Sequence, residues 1–333
     1  MLDPLWLVVL VVTLALIFDF TNGWNDSANA IATVIGTRTL TPVKAVLLAA
    51  VLNLAGAFFS TAVAKTIGED IVNPEMITQL VIVATLISAI TWNTVCTLLG
   101  LPISASHGLF GSLIGSAVAF NGFAVLQVKG IIIILIAMFV SPLLGGILGY
   151  LLMKGIRGWF RNHTPSKVKR LFRPLQVISA AFMAFSHGTS DAQKAMGIIV
   201  MSLGAGGYWA GGDIPFWVIL SAGLAMAAGT ALGGWRVIRT MGIRLSKLET
   251  PHGFAAETSA ALLLTTIAKI GVPVSTTHTI TGSIVGVGAA ERLRGVRWGI
   301  AGKIMYAWIF TLPGTALMSF LIYKVLSIFE NSL

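Results

Sequence analysis

The sequence predicts an all-α polytopic membrane protein made of two inverted-topology repeats, each with a broken-helix hairpin. Three observations predict this. Hydrophobic residues make up 56% of the 333-residue chain and charged residues only 10%, against roughly 25% charged in a soluble domain. Apolar runs long enough to cross a bilayer, about 20 residues each, recur from one end to the other. Two unusual motifs also occur twice, in the same order. The formal charge of +10 is concentrated in a few loops, the pattern of cytoplasmic membrane flanks and not of a nucleic-acid surface. One cysteine, Cys96, excludes an intramolecular disulfide and a thiolate metal cluster.

In chain order the apolar runs are 5–18 (continuing to 35 with polar interruptions), 43–64, 77–99, 130–153, 175–203, 214–235 and 304–327. Asp3 and the lack of a basic leader mark the first as a retained span and not a cleaved signal peptide. Lys154, Arg157, Arg161, Lys167, Lys169, Arg170 and Arg173 fall in one loop without any acid, so that loop is cytoplasmic by the positive-inside rule. Lys65 stands against Glu69, Asp70 and Glu75, and that loop reads as external. Arg236, Arg239, Arg244 and Lys247 place a further loop inside, as do Arg292, Arg294 and Arg297. Counting crossings, segment 77–120 leaves and returns on the outside and segment 253–290 on the inside. Both termini are then external, in the cell's inner (plasma) membrane. Residues 1–153 form the first inverted repeat, 154–174 a basic cytoplasmic linker and 175–333 the second repeat. Many secondary transporters follow this plan.

The hairpins carry the first duplicated motif. "GLPISASHGLFGSLIG" at 100–115 aligns without a gap on "GVPVSTTHTITGSIVG" at 271–286, with seven of sixteen positions identical. Irregular backbone is tolerated in hydrocarbon only where it is buried in protein or lines a cavity. A proline suits the first turn of a new helix, because its missing N–H has no partner to lose there. Ser104 and Ser106, like Ser275 and Thr277, occupy that first turn. Hydroxyls, free N–H groups and the positive end of the helix dipole converge there as an anion cradle. Serines in such places also simply cap helices, but a matched and inverted pair of motifs favours the cradle.

The second duplicated motif supplies acids. "GWNDSANAIA" from Gly23 aligns on "GTSDAQKAMG" from Gly188, Asp26 on Asp191. Asp19, Asn22, Asp26 and Asn29 follow 3- and 4-residue steps and share one helix face. Their counterpart offers His187, Asp191 and Lys194, with Lys194 able to neutralise an acid. Intramembrane carboxylates are functional by default. Beside an anion they need cations, and carboxylate, amide and hydroxyl oxygens are hard ligands that suit Na⁺.

The chain resembles the inorganic phosphate transporter (PiT) family over essentially its whole length. The resemblance rests on "NDSANA", "HGTSDAQKAMG", the paired "GLPISASHG" and "GVPVSTTHT", and "GFAAETSAA" at 253–261. It implies cation-coupled phosphate uptake, with Na⁺ in many members and H⁺ in others, by a homodimer embedded in lipid. Ser190 departs from the asparagine expected before the second aspartate. Motifs and resemblance together give Asn25, Ser104, Ala105, Ser106, Gln193, Ser275, Thr276 and Thr277 as phosphate contacts. They give Asn22, Asp26, Asn29, Asn93, Asp191 and Glu257 as sodium ligands. No cofactor is expected beyond sodium as coupling ion, and no nucleic-acid partner.

Three rivals remain at this level. An ion channel is poorly supported, since closed helix-break sites favour binding over conduction. An intramembrane hydrolase built on Ser106, His107 and Asp191 is disfavoured, since adjacent helix residues do not face one another. Sulfate is a tetrahedral anion of similar size but lacks the O–H donor that phosphate keeps at pH 7. Carboxylates facing the anion therefore favour phosphate, because a buried acceptor left unpaired costs about 1–3 kcal/mol.

Overall fold

The computed structural model describes residues 4–64, 72, 77–270, 272 and 274–332. Gly271 and Pro273 of the second hairpin, Asp3, and the 65–75 loop with its four charges lie outside the described residues, Val72 excepted. The first half holds α1 (Pro4–Gly36), α2 (Pro42–Ala57), α3 (Gln79–Leu99), α4 (Ala105–Asn121) and α5 (Val128–Phe160). The second holds α6 (Pro165–Ala205), α7 (Phe216–Leu232), α8 (Trp235–Arg239), α9 (Thr250–Ile270), α10 (Thr276–Glu291) and α11 (Trp298–Ser332). A π turn, Thr240–Arg244, continues α8.

Local chemistry sets the helix ends. α2 and α6 each begin Thr-Pro, with the proline in the first turn where no N–H is needed. α3 ends at Gly100, whose φ of 73° is left-handed, and the Leu101 N–H closes back on the Cys96 carbonyl at 2.9 Å. Three residues, Leu101 to Ile103, lead from that glycine to Ser104, which caps α4. Helices broken in this way can restart without orphaning many backbone groups.

Among the described residues, five helices are long and apolar enough to cross a membrane: Leu5–Gly36, Gln79–Leu99, Ala105–Val125, Val128–Phe160 and Trp298–Phe329. α7 and the Trp235–Arg244 segment, bent by 61°, could form a sixth, broken span. The run 43–64 is less regular than a single span: α2 covers 16 residues and stops at Ala57, about 24 Å at 1.5 Å per residue. The run 175–203 is wholly helical within α6, but buried polar side chains interrupt its apolar character. Phe139, Leu143, Phe310 and Leu317 on α5 and α11 are 62–65% exposed, a surface fit for lipid and costly in water. This is a multi-pass membrane protein.

The packing recurs in pairs. α10 packs on α5, and α4 on α11; α9 packs on α6, and α3 on α1; α7 packs on α1, and α2 on α6. The inner helix of each hairpin therefore packs on the last long helix of the other half. The repeated glycines explain how closely. A Cβ on Gly115 would collide with the Ala316 carbonyl, and one on Gly286 with the Gly146 carbonyl. Pro142 and Pro313 lie inside α5 and α11, at the same offset that relates the two hairpins.

Two apolar clusters fill the interior. One takes Val8, Val11, Ala15 and Phe18 from α1 and Ala192, Ala195 and Met196 from α6. The other takes Ala28, Ile31 and Val34 from α1 and Ala180, Met183 and Ala184 from α6. Between them each helix carries a buried polar stretch: Asp19 to Asp26 on α1, and Ser186 to Asp191 on α6. The fold thus sets both halves of the acidic motif in one layer.

Candidate functional site

The site is built where the two helix breaks meet. The Ser104 hydroxyl oxygen accepts from the His107 N–H at 3.3 Å, and the Ser275 oxygen from the His278 N–H at 3.1 Å. Both serines are N-caps in the usual sense, and each keeps its own O–H. The His107 and His278 rings lie edge to face, with centroids 4.6 Å apart. His278 stacks on Trp308 at 3.7 Å, and the Trp308 indole donates to the Pro102 carbonyl at 3.0 Å. The first turns of α4 and α10 therefore abut, each with N–H groups to spare.

Around the α10 turn the predicted residues converge. Thr277 donates to Asp26 Oδ1 at 3.1 Å, and the Thr276 hydroxyl lies 3.3 Å from Asp191 Oδ2 and 3.5 Å from Asp26 Oδ2. The Asn29 amide donates to Thr277 at 3.0 Å and to Thr276 at 3.3 Å. Lys194 Nζ is 2.8 Å from Asp191 Oδ2. His187 Nε2 lies 3.5 Å from Asp191 Oδ2 and 3.9 Å from Asp26 Oδ2. Its Nδ1 faces Asn53 Oδ1 at 3.2 Å, and Asn53 in turn donates to Thr230 at 2.8 Å. That chain holds the imidazole with Nε2 towards both acids.

The α4 turn is less engaged. The Ser106 hydroxyl, counterpart of Thr277, is buried without a hydrogen-bond partner among the described residues, and so is Asp191 Oδ1. Ala105, counterpart of Thr276, offers only its backbone. Asn25 sits by the break, donating to Thr97 at 2.7 Å and to the Leu101 carbonyl at 3.5 Å, with its own Oδ1 unpartnered among the described residues. Asn93 lies beside Gly108, and its amide has no hydrogen-bond partner among the described residues. Asp19 and Asn22, fully buried, find no hydrogen-bond partner of good geometry among the described residues.

Two predicted residues stand elsewhere. Gln193 accepts from the Val63 and Ala64 N–H groups at 2.7 and 3.1 Å and donates to the Thr189 carbonyl, so both ends of its amide are engaged. Glu257 forms a separate buried cluster with Thr33, Ser179 and Gln176, the last at 3.3 Å. Thr33 lies two turns beyond Asp26 on α1, about 10 Å along the axis. Sequence reasoning did not single out Asn53, Thr230 or Trp308. A lone amide in the apolar run 43–64 was the available signal for Asn53.

Charge decides what such a site can hold. Asp26 and Asp191 are buried together with one lysine, and Asp19 adds a third acid on the same stretch of α1. Unpaired buried carboxylates are costly, so the cluster fits a cation. One atom each from Asp26, His187 and Asp191 lies within 4.8 Å of the others, and the adjoining hydroxyls and amides are hard donors.

The profile of the phosphate transporter family matches residues 22–319. The chain belongs to that family. It is 46% identical over 320 residues to a "probable low-affinity inorganic phosphate transporter" of Rhizobium meliloti (strain 1021), covering 95% of this chain and 96% of that one. It is 42% identical over 324 residues to the protein of the same description in Bacillus subtilis (strain 168), covering 96% and 97%. Among solved structures, one titled "The sodium-dependent phosphate transporter" superposes with a TM-score of 0.86 at 24% identity, covering 97% of this chain and 99% of the other. The all-helical membrane fold is thereby shown. The family is one of transporters and not enzymes, which removes the hydrolase reading.

Ser106 offers a clean test of the cradle. Its hydroxyl makes no bond that the fold would lose, whereas a donor to an anion contributes about 1.5–3 kcal/mol. Ser106→Ala should weaken equilibrium phosphate binding by roughly ten- to a hundredfold while leaving thermal stability unchanged. Ser104→Ala should lower stability as well, by about 1 kcal/mol for the lost cap. Unchanged phosphate affinity in Ser106→Ala would remove this turn from the site.

Proposed function

We propose that this protein imports inorganic phosphate across the cell's plasma membrane by symport with sodium, working as a homodimer. One observation carries the reading: a surplus of buried carboxylates, Asp26 and Asp191 against Lys194, lies hydrogen-bonded to the first turn of one broken helix while the other turn abuts it. An anion does not enter beside uncompensated carboxylates. Sodium held by Asp26, Asn29 and the Thr276 and Thr277 hydroxyls removes that repulsion and turns the pocket positive enough for phosphate. The anion then takes the N–H groups and hydroxyls of Ser104, Ala105, Ser106 and Ser275, with Asn25 beside them. Neither ion binds well alone, and that mutual dependence is what coupling requires.

Selection against sulfate follows from the same acids. Phosphate retains an O–H that can donate to a carboxylate oxygen, and sulfate leaves that acceptor unpaired. Arsenate, which shares the proton, should compete for uptake.

Phosphate uptake by the purified protein in liposomes, with sodium and pH gradients imposed separately, is the direct test. An inward sodium gradient should drive accumulation, and Asp26→Asn, which preserves size and hydrogen bonding, should reduce it at least about tenfold, a loss of 1.4 kcal/mol or more. Uptake indifferent to sodium, or a variant as active as the parent, contradicts the assignment.

The paired packing of α4 on α11 and α10 on α5 supports the repeated relation of the halves, and the basic loops are what place both termini external. In a Cys96→Ser background, Asn121→Cys at the end of α4 should react with an impermeant thiol reagent from outside. Its counterpart Arg292→Cys should react only from inside. Labelling of both from one side contradicts the inversion.

A further inference from the structure

We propose that the Lys194 ammonium is a tethered cation that stands in for one coupling ion at Asp191. The transporter then moves one cation fewer per phosphate than two equivalent acidic sites would demand. The inference rests on the cation-coupled reading above and adds to it the number of ions moved.

The evidence is a break in the internal symmetry. Asp26 is flanked on its own helix face by Asn22 four residues before and Asn29 three residues after. The duplicated motif keeps the acid as Asp191 but replaces both flanking amides with basic residues, His187 and Lys194. Two changes toward positive charge, on the two positions that face the acid, are hard to ascribe to drift in a site built by duplication.

Geometry agrees with the pattern. Lys194 is 2% exposed and Asp191 fully buried, and Nζ lies 2.8 Å from Oδ2. Among the described residues the equivalent Asn29 makes no hydrogen bond to Asp26. Its amide instead holds the Thr276 and Thr277 hydroxyls, which face Asp26 from the other hairpin. Asp26 therefore keeps its charge for a mobile ion, while Asp191 is matched from within the chain. A lysine head group is a compact point charge on a flexible stem, the side chain best able to imitate a small monovalent cation. The remaining Asp191 oxygen, Oδ1, has no partner among the described residues and stays available to a ligand in the shared cluster.

The alternatives differ in what they predict. A lysine that grips phosphate would set anion affinity and leave the ion count alone. A purely structural pair would set stability and leave both alone.

The decisive experiment is the cation count per phosphate in liposomes. It is read from the phosphate gradient that exactly balances an imposed cation gradient, for the parent and for Lys194→Asn, which copies the first half. Lys194→Asn should carry one more cation per phosphate, so a tenfold sodium gradient should hold a phosphate gradient tenfold steeper than in the parent. Lys194→Arg should keep the parental count. The reverse change, Asn29→Lys, should lower the count by one and decides the matter if Lys194→Asn does not fold. An unchanged count in either active asparagine or lysine variant, with or without a raised phosphate KM, overturns the proposal. If the parent follows protons and ignores sodium, the sodium reading fails, and the same counts made with pH gradients still decide the role of Lys194.

Discussion

Negative charge buried without a full complement of positive charge is the constraint on which the rest of this structure depends. Asp26 and Asp191 lie in a buried polar layer between two apolar clusters, with Lys194 as the one ammonium beside them among the described residues. In so poorly screened a setting the difference cannot be left to solvent. The hydroxyls of Thr276 and Thr277, the amide of Asn29 and the imidazole of His187 are all arranged around those carboxylates. They moderate the charge without cancelling it. Full neutrality would leave nothing for a mobile cation to complete.

The backbone is shaped to the same end. Breaking a membrane helix frees N–H groups that hydrocarbon cannot satisfy, so the breaks must be enclosed by protein. The two broken helices enclose each other, with His107 against His278 and Trp308 reaching across to the Pro102 carbonyl. Glycines at 111, 115, 282 and 286 bring the hairpin helices against α11 and α5 at backbone distance. Packing at the periphery of the hairpins and chemistry at their tips are therefore two ends of the same repeated segment. A site assembled from both halves is sensitive to any shift of one against the other, which is the property a transporter exploits when it exchanges access between two sides.

Much of this was legible in the sequence, for identifiable reasons. Apolar runs of membrane length, the paired proline-bearing breaks, and Asp26 with Asp191 in a duplicated motif are local patterns, and helix periodicity places Asn29 on the face of Asp26. Partners were harder to read. Periodicity says which face a residue occupies and nothing of what lies opposite. The Asn53 to His187 contact joins positions 134 apart, and the engagement of Gln193 with the backbone at Val63 and Ala64 depends on where α2 ends. Glu257 shows the same limit: its motif marked it as important, yet only the packing of α1, α6 and α9 shows that its partners are Thr33, Gln176 and Ser179. The serines at 104 and 275 proved to be caps as well as first-turn hydroxyls, two roles that one sequence position cannot distinguish.

If a cation and phosphate share one charge-balanced site, each must tighten the other's binding by the same factor. Equilibrium binding of labelled phosphate to the purified protein, with and without saturating sodium, measured beside sodium binding with and without saturating phosphate, tests that directly. The shared site predicts that sodium lowers the phosphate Kd at least about tenfold, or 1.4 kcal/mol, and that phosphate lowers the sodium Kd by an equal factor. Phosphate binding of the same strength whether or not any coupling cation is present would contradict it.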